Sequence, residues 1–196
     1  MKVKVKVPAT SANLGPGFDV AGLALTLYNT FTFELADQGL NITGCPEQFC
    51  NEENMTYQAF KQAAEICGLE YQGVNIECSG DVPYTRGLGS SSTCIVAGIV
   101  GAFAFKDKVE DRQEILELAT AIEGHPDNVA PAIFGGLTVS VMEEDNVLTL
   151  NIPVKHDYRF VTLIPPFTLS TEQSRSVLPQ VLPRADAIKN VSHLAL

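Results

Sequence analysis

Pro83–Thr93 reads PYTRGLGSSST, and the segments on either side of it decide how it folds. Upstream, Val74–Cys78 alternates apolar and polar residues with the period of a strand. Downstream, Cys94–Phe105 is a nearly continuous apolar run with several small residues, too short to span a bilayer and suited to a buried helix over Ser90–Phe105. The loop therefore joins a strand to a helix. Phosphate oxygens are bulky and charged, so a backbone that cradles them does best without side chains at the closest points. Gly87 and Gly89 meet that need and reach backbone angles that other residues avoid. The helix that follows aims unpaired N–H groups and a partial positive charge at an anion. Ser90, Ser91 and Ser92 add hydroxyls. The segment is neither a Walker A loop nor GxGxxG. By itself it fits equally a phosphate cradle and a glycine turn with a serine cap.

Bulk properties narrow the function classes. The chain has 196 residues, enough for one domain or a large domain with an appendage, and its 45% hydrophobic content suits an ordinary core. The net charge of −10 opposes nucleic-acid binding, which needs a cationic face. It does not oppose a small anion held by backbone dipoles and a metal ion. The opening MKVKVKV lacks the apolar core of a signal peptide. With five cysteines, an odd number, this leads us to expect free thiols in a cytoplasmic protein that does not enter a membrane. Cys45 and Cys50 suggest half of a metal site, but no second pair accompanies them, so scattered thiols are expected.

The remaining pattern is a mixture of strands and helices, hence α+β. Val3, Val5 and Val7 share one face of a strand over Lys2–Val7, which Pro8 is expected to end. Ala9–Asp19 reads as a loop and Val20–Leu35 as one long strand, followed by a short strand over Leu40–Thr43. Asn54 caps a helix that ends at Gly68. Asp111 with Glu114 opens a helix over 112–123, closed by Gly124. A short helix over 127–134 precedes strands at Gly135–Met142, Val147–Ile152 and Arg159–Ile164. Helical segments near 171–177 and 184–195 complete the pattern.

Three further segments carry polar groups among Gly and Pro: PATSANLGPGFDVAGLAL (Pro8–Leu25), EGHPDNVAPAIFGG (Glu123–Gly136) and LSTEQSRSVLP (Leu169–Pro179). Together with RGLGSSS, in this order, they make the chain resemble the GHMP kinases, and within them the homoserine kinases. The resemblance implies an N-terminal domain like the second domain of ribosomal protein S5, with a left-handed β-α-β crossover, over residues 1–155. It implies that residues 156–196 begin a ferredoxin-like C-terminal domain that is incomplete here, since no glycine-rich GSGP-type segment follows.

The resemblance also implies roles. ATP is expected on Pro83, Tyr84, Thr85, Arg86, Gly87, Leu88, Gly89, Ser90, Ser91, Ser92 and Thr93. Mg²⁺ is expected on Ser91 and Glu123, a hydroxyl and a carboxylate of the hard-oxygen type this ion prefers. The substrate, L-homoserine, is expected against Asn13, Asp19, His125, Asp127, Asn128, Thr171 and Arg175. Of these, Asp127, Asn128 and Arg175 are the catalytic candidates. Arg175 would take the substrate carboxylate in a fork, Asp19 and Asp127 the ammonium, and Asn128 or Asp127 the hydroxyl. Asn54 and Tyr57 either line an adenine pocket or serve as cap and core. The alternatives are another GHMP kinase acting on shikimate or mevalonate, a catalytically incomplete nucleotide-binding fragment, or an RNA-binding relative of the ribosomal fold, which the acidic balance disfavours. A homodimer stays open.

Overall fold

The computed structural model describes residues 1–109, 111–144, 146–154, 157–164, 167 and 171–195, without the side chains of Thr171 and Glu172. Its elements run β1 (Lys2–Ala12), β2 (Ala21–Ala36), β3 (Gly39–Thr43), α1 (Met55–Cys67), β4 (Gly73–Gly80), α2 (Ser90–Ala104), α3 (Arg112–Glu123), α4 (Pro126–Phe134), β5 (Leu137–Glu143), β6 (Asn146–Ile152), α5 (Thr171–Ser176) and α6 (Arg184–Leu194). This is the mixed α/β arrangement expected from the pattern.

The long strand β2 organises the sheet, whose order is β3-β4-β2-β5-β6 with β1 on the other edge of β2. The second half of β2 pairs with β4 and its first three residues with β5, both antiparallel. β3 and β4 are parallel neighbours joined through α1, the crossover unit that the family resemblance calls for. Alternation along β1 and β2 turns Val5, Val7, Phe31 and Phe33 into the core. There they meet Phe60 of α1 and Ile95, Ile99 and Phe103 of α2. The Phe33 and Phe60 rings stack with centroids 5.5 Å apart. α1 starts where Asn54 accepts from the amides of Thr56 and Tyr57, and it ends at the left-handed Gly68.

Two expectations need correction. Pro8 does not end β1, which continues to Ala12 after a register shift between Pro8 and Thr10. Among the described residues β1 pairs only with β2, so a proline without an N–H is tolerated on this edge strand. Arg159–Ile164 is not a strand, because among the described residues no strand lies beside it, and Val161 and Leu163 are almost fully exposed. Among the described residues no helix is long and apolar enough to cross a membrane.

Candidate active site

The loop after β4 is built to face an anion. Gly89 is left-handed at φ 66° and caps α2, whose first amides open toward a cleft. A Cβ on Gly89 would meet the Thr10 hydroxyl at 2.0 Å, so only glycine fits there. Thr10 also donates its amide to the carbonyl of Leu88 at 3.1 Å, tying the loop to β1. The cleft is about 1020 Å³ and is lined by Tyr84, Thr85, Arg86, Gly87, Gly89, Ser90 and Ser91. Leu88 packs instead with Ala9 and Val82 in a small core of its own. Ser92 and Thr93 are buried in α2, and Pro83 with them lies off the cleft wall. Helix periodicity explains the split, since Ser92 and Thr93 fall on the core face of the first turn.

Glu123 ends α3 because Gly124, at φ 90°, leaves the helix there. A carboxylate is poorly placed at a helix C-terminus. It is compensated by the first turn of α2: the hydroxyl of Ser91 donates to Glu123 Oε1 at 2.7 Å and that of Ser92 at 3.3 Å. The two metal candidates, distant in sequence, are thus adjacent at the base of the loop.

His125 is the extended cap of α4 and Pro126 its first residue. This short entry turns the carboxylate of Asp127 back onto His125, Oδ1 to Nδ1, at 2.5 Å. Asp127 is almost fully buried. Its hydrogen bond raises the His125 pKa above the ordinary imidazole value, against the opposing effect of burial. Pro131 lacks the N–H that would bond the Asp127 carbonyl within the helix. That carbonyl lies against Gly22 of β2, where a Cβ would sit 1.7 Å from it. Asn128 accepts from the Thr10 hydroxyl at 2.8 Å.

The loop between β1 and β2 supplies the opposite wall. Asn13 Oδ1 accepts from the amide of Asp19 at 3.0 Å, and both residues are left-handed, so Asn13 shapes the turn that presents Asp19. Arg175 of α5 forks onto the Asp19 carboxylate, with Nη1 donating to Oδ2 at 3.0 Å and Nη2 to Oδ1. Its guanidinium lies 5.1 Å from the centre of the Phe18 ring. One oxygen or ring nitrogen from each of Asp19, His125 and Asp127 lies within 4.8 Å of the others. The structure therefore gathers Asn13, His125, Asp127, Asn128 and Arg175 on one cleft, with Asp19 held beside it by Arg175. The side chain of Thr171 lies outside the described residues.

Asn29 and Phe49 escaped the sequence, and the alternatives for Asn54 and Tyr57 resolve differently. Asn29 sits buried in the apolar run of β2, donating to the Thr93 hydroxyl at 3.1 Å and accepting from the Val82 amide at 3.2 Å. It pins the glycine loop from both ends, and its polarity inside that run was the available signal. Asn54 both caps α1 and lines the cleft, while Tyr57 packs on the core. Phe49 faces Tyr84 with centroids 6.0 Å apart.

Residues 54–136 match the model of the GHMP kinases N terminal domain. This stretch, from the Asn54 cap of α1 to Gly136, is similar to the N-terminal domain of the GHMP kinases. The chain is 48% identical over 195 residues to a homoserine kinase of Clostridium botulinum (strain Alaska E43 / Type E3), covering 99% of this chain and 65% of that one. A homoserine kinase of Clostridium beijerinckii is 50% identical over the same shares. A crystal structure of homoserine kinase from Cytophaga hutchinsonii superposes with a TM-score of 0.81 at 26% identity, over 99% of this chain and 65% of that one. The chain thus spans about 65% of the length of the curated relatives it matches.

Proposed function

We propose that this chain is the ATP-binding part of a homoserine kinase, transferring the γ-phosphoryl group of ATP to the side-chain hydroxyl of L-homoserine. One observation carries the assignment: a single cleft joins the glycine loop and its Ser91–Glu123 pair to Arg175, His125 and Asp127, with Asp19 bound to Arg175 beside them. Phosphoryl transfer needs positioned phosphates, neutralised charge and an aligned hydroxyl more than covalent chemistry. The amides of Gly87–Ser91 and the α2 N-terminus receive the phosphates. The hydroxyl of Ser91, 2.7 Å from a carboxylate oxygen, is a hard-oxygen donor set that fits Mg²⁺. Ser91 and Glu123 would hold that ion, which when bound neutralises charge on the phosphates.

The acceptor side suits an amino acid. Arg175 and Asp19 satisfy each other here. A zwitterion can replace both partners at once, its carboxylate on Arg175 and its ammonium on Asp19. Mevalonate and shikimate each carry a carboxylate but no ammonium, so either would leave Asp19 without a cation. His125, held toward its charged form by Asp127, fixes that carboxylate as an acceptor for the substrate hydroxyl beside Asn128.

In the same proposal residues 1–155 form the nucleotide-binding domain and residues 156–196 begin the second domain. The product would feed threonine synthesis in the cytoplasm. An ADP-release assay with homoserine, mevalonate and shikimate tests the assignment, on this chain and on any longer form of the gene product. Turnover with homoserine alone supports it. Turnover with mevalonate or shikimate and none with homoserine refutes it.

A further inference from the structure

The segment between β3 and α1 holds two thiols that the kinase chemistry does not use. Gly44 turns the chain at φ 79°, and Pro46 opens a 3-10 turn over Glu47–Phe49. The amide of Phe49 donates to the Pro46 carbonyl at 2.8 Å, and that of Cys50 to the Glu47 carbonyl at 3.0 Å. This tight turn carries Cys50 back over Cys45, with the two sulfurs 3.5 Å apart. Cys50 Sγ also lies 3.7 Å from the carbonyls of both Cys45 and Pro46, so the thiol is held over the turn rather than projecting from it. Cys50 is exposed and Cys45 half-buried.

The geometry points to a redox-closing pair: Cys45 and Cys50 form a reversible disulfide when a peroxide reaches this turn. The exposed Cys50 loses its proton to solvent, and its thiolate attacks one peroxide oxygen. The O–O bond breaks, leaving a sulfenic acid on Cys50 and a hydroxide that takes up a proton as water. Cys45 then attacks the sulfenyl sulfur. The S–S bond forms, and the S–O bond breaks with release of a second water, which carries the Cys45 proton. Peroxide is reduced by two electrons and the two thiols are oxidised. Burial pushes the Cys45 thiol up to about 11, which suits the second, proximity-driven step rather than the first. Cys78 is half-buried behind Cys45 and its thiol is pushed up to about 12, so it is the internal competitor.

Closure has a mechanical consequence. A disulfide needs its sulfurs about 2.0 Å apart, so the turn must tighten. Phe49 lies inside that turn, and its carbonyl accepts from Asn54 Nδ2 at 2.8 Å. Its ring faces Tyr84 of the glycine loop. The bond would therefore stiffen residues 46–54 at the edge of the cleft. Bonds of this kind in a reducing compartment are typically transient and regulatory.

The test treats the full reduced chain with hydrogen peroxide, blocks remaining thiols and maps the peptides. The expected product has lost two hydrogens, links Cys45 to Cys50, reverts with dithiothreitol and is absent from Cys50→Ser. It still forms in Cys78→Ser, and amide exchange across 46–54 slows severalfold when it forms. Sulfinic acid at Cys50, a bond through Cys78, a disulfide dimer, or a Cys45–Cys50 bond with unchanged exchange would each overturn the inference. An ADP titration of the reduced chain keeps this separate from the kinase assignment. Absence of ADP binding refutes the nucleotide site, while the mapped bond and the exchange still decide the redox pair.

Discussion

Replacing Glu123 with Gln separates the metal role of this side chain from its structural one. The amide keeps an oxygen that can accept from Ser91, now 2.7 Å from Glu123 Oε1, but the charge is gone. A charge-assisted hydrogen bond becomes a neutral one, a loss of about 1 kcal/mol. For a chain of this size that lowers Tm by roughly 2–4 °C. Nucleotide binding should respond far more, and with opposite signs in two buffers. Two unit charges about 4 Å apart attract by about 4 kcal/mol at an effective dielectric constant near 20. Glu123 is half-exposed, and solvent reduces that figure to about 1.4–3 kcal/mol, a roughly ten- to hundredfold loss of ADP affinity when Mg²⁺ is present. In EDTA the wild-type carboxylate only repels the phosphates, so the variant should bind ADP equally or more tightly. Titration calorimetry with and without Mg²⁺ reads both arms. Equal losses in the two buffers, or no loss with Mg²⁺, would refute the metal role.

Arg175→Ala should weaken homoserine binding by about tenfold or more, the scale of a lost charge-assisted fork, while ADP affinity stays nearly constant; calorimetry of each ligand checks this, and equal effects contradict it. Gly22→Ala forces a methyl against the Asp127 carbonyl, and overpacking of this kind costs about 1–3 kcal/mol. Thermal unfolding should show a clear drop in Tm, and an unchanged Tm would contradict the close approach. His125 has its folded-state pKa raised, so the stability it gains from Asp127 is fully present below its unfolded value of about 6.5 and is lost as pH rises through the higher folded value. The Tm deficit of His125→Ala should therefore be larger at pH 6 than at pH 9, and the reverse order would contradict the pairing. Asn29→Ala leaves the Val82 amide and Thr93 hydroxyl without this partner, at a cost of about 1–3 kcal/mol. Denaturant unfolding measures that loss, and an unchanged midpoint would count against it.

Much of the site was legible because its motifs are local. Gly89 before a serine-led helix announces an anion-facing N-terminus, and His125-Pro126-Asp127 announces a capped helix start. Helix α1 and α3 were readable from Asn54, Asp111 and the glycines that close them. What stayed hidden depends on contacts across the chain. Glu123 could be tied to Ser91 only by family resemblance, because nothing local marks a pairing across that sequence distance. The Arg175–Asp19 fork joins residues near opposite ends and was invisible; its partners were expected to bind substrate separately. Pro8 misled because a proline stops a central strand but not an edge strand, and edge position is set by tertiary pairing. The Arg159–Ile164 segment has the composition of a strand, yet a strand needs a neighbour to pair with. Ser92 and Thr93 were expected to face ATP, and only the phase of α2 turns them inward.

A crystal structure of the chain with ADP, Mg²⁺ and L-homoserine tests the central claim most directly. The diphosphate should lie on the amides of Gly87–Ser91, with the homoserine carboxylate on Arg175, its ammonium on Asp19 and its hydroxyl turned toward the phosphates beside Asp127. Nucleotide bound away from the glycine loop, or homoserine bound while Arg175 and Asp19 remain paired to each other, would contradict it.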